Sequence, residues 1–274
     1  MKTWFITGAS RGFGARIAQL ALERGDNVVA TARSMGAIKE ALGERPNLLA
    51  ATLDMTSEQH ARDAARQAVE HFGSIDVLLN NAGFGLIGAV EEATAEEVER
   101  LYQTNVFGLL TVTRAVLPKM RAQGSGRILN ISSIGGYRAG AGFGVYCSTK
   151  FAVEGLSEAL HAELAPLGIH VTVIEPGYFR TDFLDSSSLS VSGNRIPDYD
   201  GTAGAVRDHA SAMNHNQPGD PEKFARQVVA FADVAGPPVR MPFGSDTVAA
   251  IEAKHMSDGE IIRRWRQTSV STDF

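Results

Sequence analysis

Tyr146 and Lys150 are the residues from which chemistry can first be argued. They lie in the stretch VYCSTK, at the head of the amphipathic run FAVEGLSEALHAEL. In a helix, side chains four apart share a face. A phenol and an ammonium would therefore point into one cleft, with only small residues between them. A free tyrosine has a pKa of about 10 and is a poor base near neutrality. A fixed cation within about 4–6 Å favours the phenolate and draws that pKa down. A hydroxyl tuned toward the working pH exchanges protons efficiently. Taken alone, such a pair is more often an ordinary surface contact, so its neighbours must decide.

A second chemical signal opens the chain. The run Thr7-Gly8-Ala9-Ser10-Arg11-Gly12-Phe13-Gly14 follows a short apolar stretch and leads at once into helical spacing. A strand, a glycine turn and a helix bring free N–H groups and the positive helix end against a phosphate. Glycines let the backbone approach a pyrophosphate closely. We therefore expect Gly8, Ser10, Arg11, Gly12, Phe13 and Gly14 to line a dinucleotide. The second strand ends at Ala32 and is followed by Arg33, where a carboxylate commonly holds the ribose hydroxyls of NAD. An uncharged site near two guanidinium groups, Arg33 and Arg11, would accept a 2′-phosphate instead. NADP(H) is thus expected in preference to NAD(H). Asp54, with Met55 beside it after the third strand, is placed to accept from the adenine amino group.

These residues need elements to hold them. Apolar runs at Thr3–Thr7, Asn27–Ala32, Leu48–Leu53, Ile75–Asn80, Arg127–Ser132 and Ile169–Glu175 read as strands. Helical patterns intervene at Arg11–Arg24, Ser57–Phe72, Ala95–Ala122 and Tyr146–Leu164, with a short helical piece before Leu48. The strands are nearly continuous in Val, Ile and Leu, as in a parallel sheet covered on both faces. Repeated β-α-β units predict an α/β fold with a doubly wound parallel sheet of Rossmann type. Residues 1–274 read as a single domain. Residues 185–220 are rich in Ser, Gly, Asn and Asp and are expected to be a variable substrate loop or lid. Residues 221–274 form a C-terminal extension, with helices at Pro221–Ala232 and Ile251–Gln267 and a last strand at Val239–Phe243.

Composition excludes several classes. The net charge is −5, and no basic stripe marks a nucleic-acid or membrane partner. The single cysteine, Cys147, forbids an internal disulfide and fits a reducing compartment. The seven histidines show no ligand-like spacing, so no metal is expected. No apolar run approaches a membrane span, and the N-terminus lacks a signal-peptide core. A cytoplasmic location is expected.

Together the motifs resemble the short-chain dehydrogenase/reductase family, in particular its NADP(H)-preferring carbonyl reductases. The resemblance rests on Thr7-Gly8-x-x-x-Gly12-x-Gly14 and Asn80-Asn81-Ala82-Gly83. It continues with Asn105 in QTNVFG, Ser133 in NISSIGG, Tyr146-x-x-x-Lys150, and Pro176-Gly177 with Thr181. These occur in the family's order over about residues 3–182. Ser133 lies thirteen residues before Tyr146, the family's usual separation, which selects it over Ser132. The resemblance implies that Tyr146 is the general acid/base. Lys150 would hold the nicotinamide ribose and lower the tyrosine pKa. Ser133 would donate to the substrate oxygen, and Asn105 would hold a water behind the lysine. Asn81, Ala82 and Gly83 would line the adenosine ribose, Pro176 and Gly177 would line the cofactor, and Thr181 would contact its carboxamide or phosphate side. A homodimer or homotetramer through the helices Ala95–Ala122 and Tyr146–Leu164 is also implied.

The activity so implied interconverts a ketone or aldehyde with an alcohol by hydride transfer. Ile134, Gly135, Phe143, Tyr178, Phe179 and Phe183 are the expected substrate-side residues, with Leu189 and Ile196 closing from the lid. Their aromatic character suits an apolar carbonyl. Two alternatives are a reductase of carrier-protein-bound 3-oxoacyl chains and a regulatory protein that senses NADPH without turnover. The presence of both Tyr146 and Lys150 weighs against the second.

Overall fold

Strands with so few polar residues need cover on both faces, and the fold supplies it. The computed structural model describes residues 1–274. Its strands are β1 (Thr3–Thr7), β2 (Asn27–Ala32), β3 (Leu48–Thr52), β4 (Val77–Asn80), β5 (Gly85–Ile87), β6 (Gly126–Ile131), β7 (Ile169–Pro176), β8 (Leu189–Val191) and β9 (Arg240–Phe243). Seven of them make one sheet in the order β3-β2-β1-β4-β6-β7-β9. Every pairing in it is parallel, for example Phe5 with Val29 and Leu78 with Ile128. The doubly wound parallel sheet expected from the sequence is the one observed.

The helices are α1 (Gly12–Glu23), α2 (Met35–Leu42), α3 (Glu58–Phe72), α4 (Ala95–Tyr102), α5 (Leu109–Gln123), α6 (Gly144–Leu164), α7 (Ala205–Met213), α8 (Pro221–Phe231) and α9 (Ser245–Val270). Alternate strand residues enter two cores. Trp4, Ile6, Val28 and Ala30 pack with α1, α2 and α8. Phe5, Val29, Leu78 and Ile128 pack with α3 and α5. Each strand is therefore apolar on both sides. Truncating the fully buried Phe5 to alanine would cost about 3–5 kcal/mol.

Two features differ from the sequence reading. The helix expected over Ala95–Ala122 is two helices, α4 and α5, joined by a π-helical turn at Gln103–Gly108. The turn presses Gly108 against Met55, where a Cβ would stand 2.7 Å from the Met55 Cβ. That packing demand lies outside the local helical spacing. The segment 185–220, expected as a loop or lid, is largely organised. β8 pairs in parallel with β5, Gly85 opposite Leu189, and α7 follows.

The C-terminal extension divides in two. α8 fills the core beneath α1, and β9 adds the seventh strand to the sheet. α9 buries only Thr247. No helix is long and apolar enough to cross a membrane.

Candidate active site

β1 and β4 are neighbours, while β2 lies on the other side of β1. Connections therefore diverge at the carboxyl end of β1 and open a crevice, the usual ligand position in such sheets. The Thr7 hydroxyl locks this corner. It accepts from the N–H groups of Asn81 at 2.9 Å and Ala82 at 3.0 Å. The Asn81 amide donates back to the Thr7 and Gly8 carbonyls at 3.0 and 3.1 Å. Gly14 lies so close that a Cβ there would stand 2.3 Å from the Gly8 carbonyl oxygen. No side chain caps the first turn of α1. Its N–H groups thus remain available to an anion. The glycine cradle and bare helix end fit the pyrophosphate of a nicotinamide dinucleotide.

Some cofactor-side expectations take a different form. The Phe13 side chain packs on Phe224 and Phe179, with ring centroids 4.1 and 5.6 Å away. Only the Phe13 backbone is left to face a phosphate, and Phe179 is drawn out of the substrate cleft into that aromatic cluster. Met55 is likewise a core side chain. Arg33 is exposed, and its charge reaches Asp54. Asp54 accepts from the Thr56 N–H at 2.9 Å and hydroxyl at 2.8 Å, bonds that hold its carboxyl below the usual range. Arg11 donates to the Ser187 carbonyl, tying the glycine turn to the segment 185–220.

At the other end of the crevice, α6 carries Tyr146 and Lys150, each 7% exposed. The Lys150 Nζ lies 5.8 Å from the Tyr146 ring centroid and donates to the Ile131 carbonyl at 2.9 Å. β6 delivers Ser133 just past its end. The Ser133 oxygen accepts from the Gly135 N–H at 3.0 Å. Asn105, held in the π-helical turn, clamps Phe84: its amide donates to the Phe84 carbonyl and its oxygen accepts from the Phe84 N–H. The same amide donates to the Thr149 hydroxyl on α6 at 3.2 Å. The structure therefore gathers Asn105, Ser133, Tyr146 and Lys150 at one place.

The electrostatics differ from the expectation that Lys150 lowers the tyrosine pKa. Burial pushes the Tyr146 phenol well above its ordinary range, a hydrogen bond from Ser133 opposes this, and Cys147 and Tyr178 add to the rise. Burial also pulls the Lys150 ammonium down to about 8, against the attraction of Glu154. The physical reason lies in the geometry: the ammonium sits over the ring and is bonded to Ile131, and both groups have lost their water.

On the substrate side, Phe143 and Phe183 flank the Tyr146 ring at 6.1 and 5.7 Å. Ile134 and Gly135 continue the turn after Ser133, and Gly135 approaches the Cys147 sulfur and the Tyr146 ring. Tyr178 is 42% exposed at the rim beyond Pro176 and Gly177. Thr181 caps the following turn by accepting from the Phe183 N–H. Leu189 is buried, packed with Ile87 and Ala210, while Ile196 donates its N–H to Glu92.

Two groups of residues escaped the sequence reading. One is the buried pair Glu92–Arg207 beneath the lid. The other is Glu154, Glu175 and Arg240 behind Lys150. Glu154 had a local signal, since it continues the four-residue stripe Tyr146, Lys150. Its partners come from distant strands and had none.

Known proteins resemble this chain in sequence and fold. The profile of the family described as short chain dehydrogenase matches residues 2–191. The Botryotinia fuckeliana protein named oxidoreductase BOA17 is 36% identical over 277 residues, covering 99% of both chains. A Bacteroides thetaiotaomicron protein named 3-ketodihydrosphingosine reductase is 43% identical over 194 residues, 71% of this chain and 70% of its own. The crystal structure of a short-chain dehydrogenase from Streptomyces avermitilis superimposes with a TM-score of 0.92 at 38% identity, covering 100% of each chain. A serine dehydrogenase complexed with NADP+ follows the fold with a TM-score of 0.73 at 29% identity, covering 88% of this chain and 94% of its own.

Proposed function

This chain belongs to the short-chain dehydrogenase family of oxidoreductases, and from that premise we propose that it is an NADP(H)-dependent reductase of apolar ketones or aldehydes, acting reversibly on the alcohol. A nicotinamide cofactor is common to the family's dehydrogenases; the preference for the phosphorylated form rests on Arg33 standing exposed where β2 ends. When bound, the nicotinamide ring supplies or accepts the hydride.

The observation that carries the reading is the buried Tyr146 phenol on α6, with the Lys150 Nζ 5.8 Å from its ring centroid and Ser133 just past the end of β6. In reduction, charge develops on the carbonyl oxygen. Burial keeps Tyr146 protonated and ready to donate there, and Ser133 donates a hydrogen bond to the same atom. Donors fixed where charge develops act in the transition state. Lys150 is held from behind by Ile131 and offers its positive charge to the alkoxide and the phenolate as they form. Asn105 holds the Phe84 backbone and the Thr149 hydroxyl, and so keeps the base of α6 in register with the floor of the crevice.

The apolar wall of Phe143 and Phe183 favours a hydrophobic carbonyl compound. A relative named for a keto sphingoid base points the same way, toward a long-chain ketone. A homo-oligomer is also proposed. Phe107 in the π-helical turn and Phe151 on α6 are 50% and 46% exposed, on the helices expected to pair. The single unpaired thiol suits a reducing compartment, and we place the enzyme in the cytoplasm.

The test is NADPH oxidation with a panel of long-chain, aromatic and 3-oxoacyl ketones. Tyr146→Phe should lower turnover by roughly 10²–10⁴-fold while NADPH still binds. Binding of NADPH with no reduction of any carbonyl compound would instead mark a sensor.

A further inference from the structure

Behind Lys150 lies a group of charges that the proposed proton transfer does not use. Glu154 is one turn further along α6 and 3% exposed. Glu175 is the penultimate residue of β7, directly before Pro176-Gly177, and is 1% exposed. Arg240, from β9, donates through Nε to Glu154 at 2.9 Å, and the same atom lies 3.7 Å from Glu175. Both carboxyls therefore converge on one guanidinium nitrogen. Yet Glu154 Oε1 and Glu175 Oε1 are both buried with no donor. Two buried acids beside one guanidinium are short of a donor.

We propose that Glu154 and Glu175 share a single proton, and that this pair, bridged by Arg240, is the positioning element that keeps Lys150 cationic and in place behind Tyr146. The inference rests on the proposed reductase reading for its catalytic meaning. Its location supports it, because the pair joins every part of the reaction end. Glu154 belongs to the helix of Tyr146 and Lys150. Glu175 leads directly into the Pro176-Gly177 turn. Gly136, in the turn after Ser133, lies so near that a Cβ would stand 2.5 Å from the Ser132 hydroxyl and 2.9 Å from Glu154 Oε1.

The charged and titratable neighbours of the pair are few. Lys150 and Glu158 face it from α6, and Arg240 faces it from β9, also reaching Glu158 at 3.1 Å. Tyr137 stacks under Arg240 and is bonded to His255 of α9. With its proton, the pair carries one negative charge, balanced by Arg240. Without it, the second negative charge favours the ammonium of Lys150. Burial and Glu154 push Glu175 up to about 8, the same range to which burial pulls Lys150. As the solution becomes alkaline, the proton therefore leaves the acid pair in competition with the lysine.

Two readouts test this without any turnover. The first follows the Lys150 Nζ titration by nitrogen-15 NMR on lysine-labelled protein. Glu154→Gln should lower its midpoint by about one pH unit or more. The second follows stability against pH. Glu175→Gln imitates the protonated acid, so the loss of stability between pH 4.5 and about 8 should disappear. The infrared band of a protonated carboxyl at neutral pH should vanish in the same variant. An unchanged Lys150 midpoint in Glu154→Gln overturns the positioning role. An unchanged pH slope or infrared band in Glu175→Gln overturns the shared proton, and this arm decides if Glu154→Gln does not fold. If both readouts shift while no ketone is reduced, the acid pair stands and the reductase reading falls.

Discussion

Two buried acid sites lie in different parts of the molecule, and they solve the same problem differently. Under the lid, Glu92 is fully buried and meets donors on every side. It accepts from Arg207 at 2.6 Å and from the N–H groups of Ala89 and Ile196 at 2.7 and 3.0 Å. Its own carbonyl accepts from Ser192 and Asn194. Its carboxyl is accordingly held down at about 2, first by Arg207. Behind Lys150, two acids share one guanidinium, and Glu175 rises to about 8. Burial alone does not set the direction of a carboxyl's pKa; the ratio of donors to acids does. A saturated acid can act as a fixed clamp. An undersupplied pair keeps a proton and can respond to pH.

The sharpest way to break this contrast is to remove the shared cation. Arg240→Met leaves two buried carboxyls without compensation, and a loss of about 3 kcal/mol is expected from chemical denaturation. A smaller loss would mean that the protonated pair satisfies itself. Next in size is the lid. Glu92→Gln removes the charge that Arg207 meets and should expose residues 185–214 to limited proteolysis while the sheet stays intact. Equal proteolysis in the wild type would show that the clamp holds nothing.

The two sites also predict opposite pH signs. Glu92 has a folded pKa below its ordinary 4.5, so its stabilisation is present above that value and fades as pH falls toward 2. Glu175 has a folded pKa above 4.5, so its contribution is full below that value and is lost as pH rises through about 8. Proteolysis of residues 185–214 should therefore increase in acid, while Glu175→Gln should alter the pH slope of stability between 4.5 and about 8. The smallest effect lies far from both sites. Arg33→Asp should weaken NADPH roughly tenfold and favour NADH, read by fluorescence titration. Unchanged discrimination would remove the 2′-phosphate argument.

How much was legible follows from the range of each interaction. Helix and strand periodicity is local, so all seven strands of the main sheet, the glycine turn and the Tyr146–Lys150 stripe could be read directly. The break at Gln103–Gly108 could not, because Met55 and Phe84 impose it from elsewhere in the chain. The direction of the Phe13 side chain was out of reach for a related reason: spacing gives its place in the turn, while Phe224, more than two hundred residues later, gives its direction.

The amino-acid order by itself determined a parallel sheet covered on both sides, a phosphate-type glycine turn, and a phenol and an amine on one helical face. These follow from residue type and spacing over a few turns. Tertiary structure alone decided that Glu92 and Arg207 pair beneath the segment 185–214, that Glu175 and Arg240 stand behind the lysine, and that burial pushes the tyrosine up. Those outcomes depend on lost water and on partners brought together from distant parts of the chain, and no local pattern encodes either.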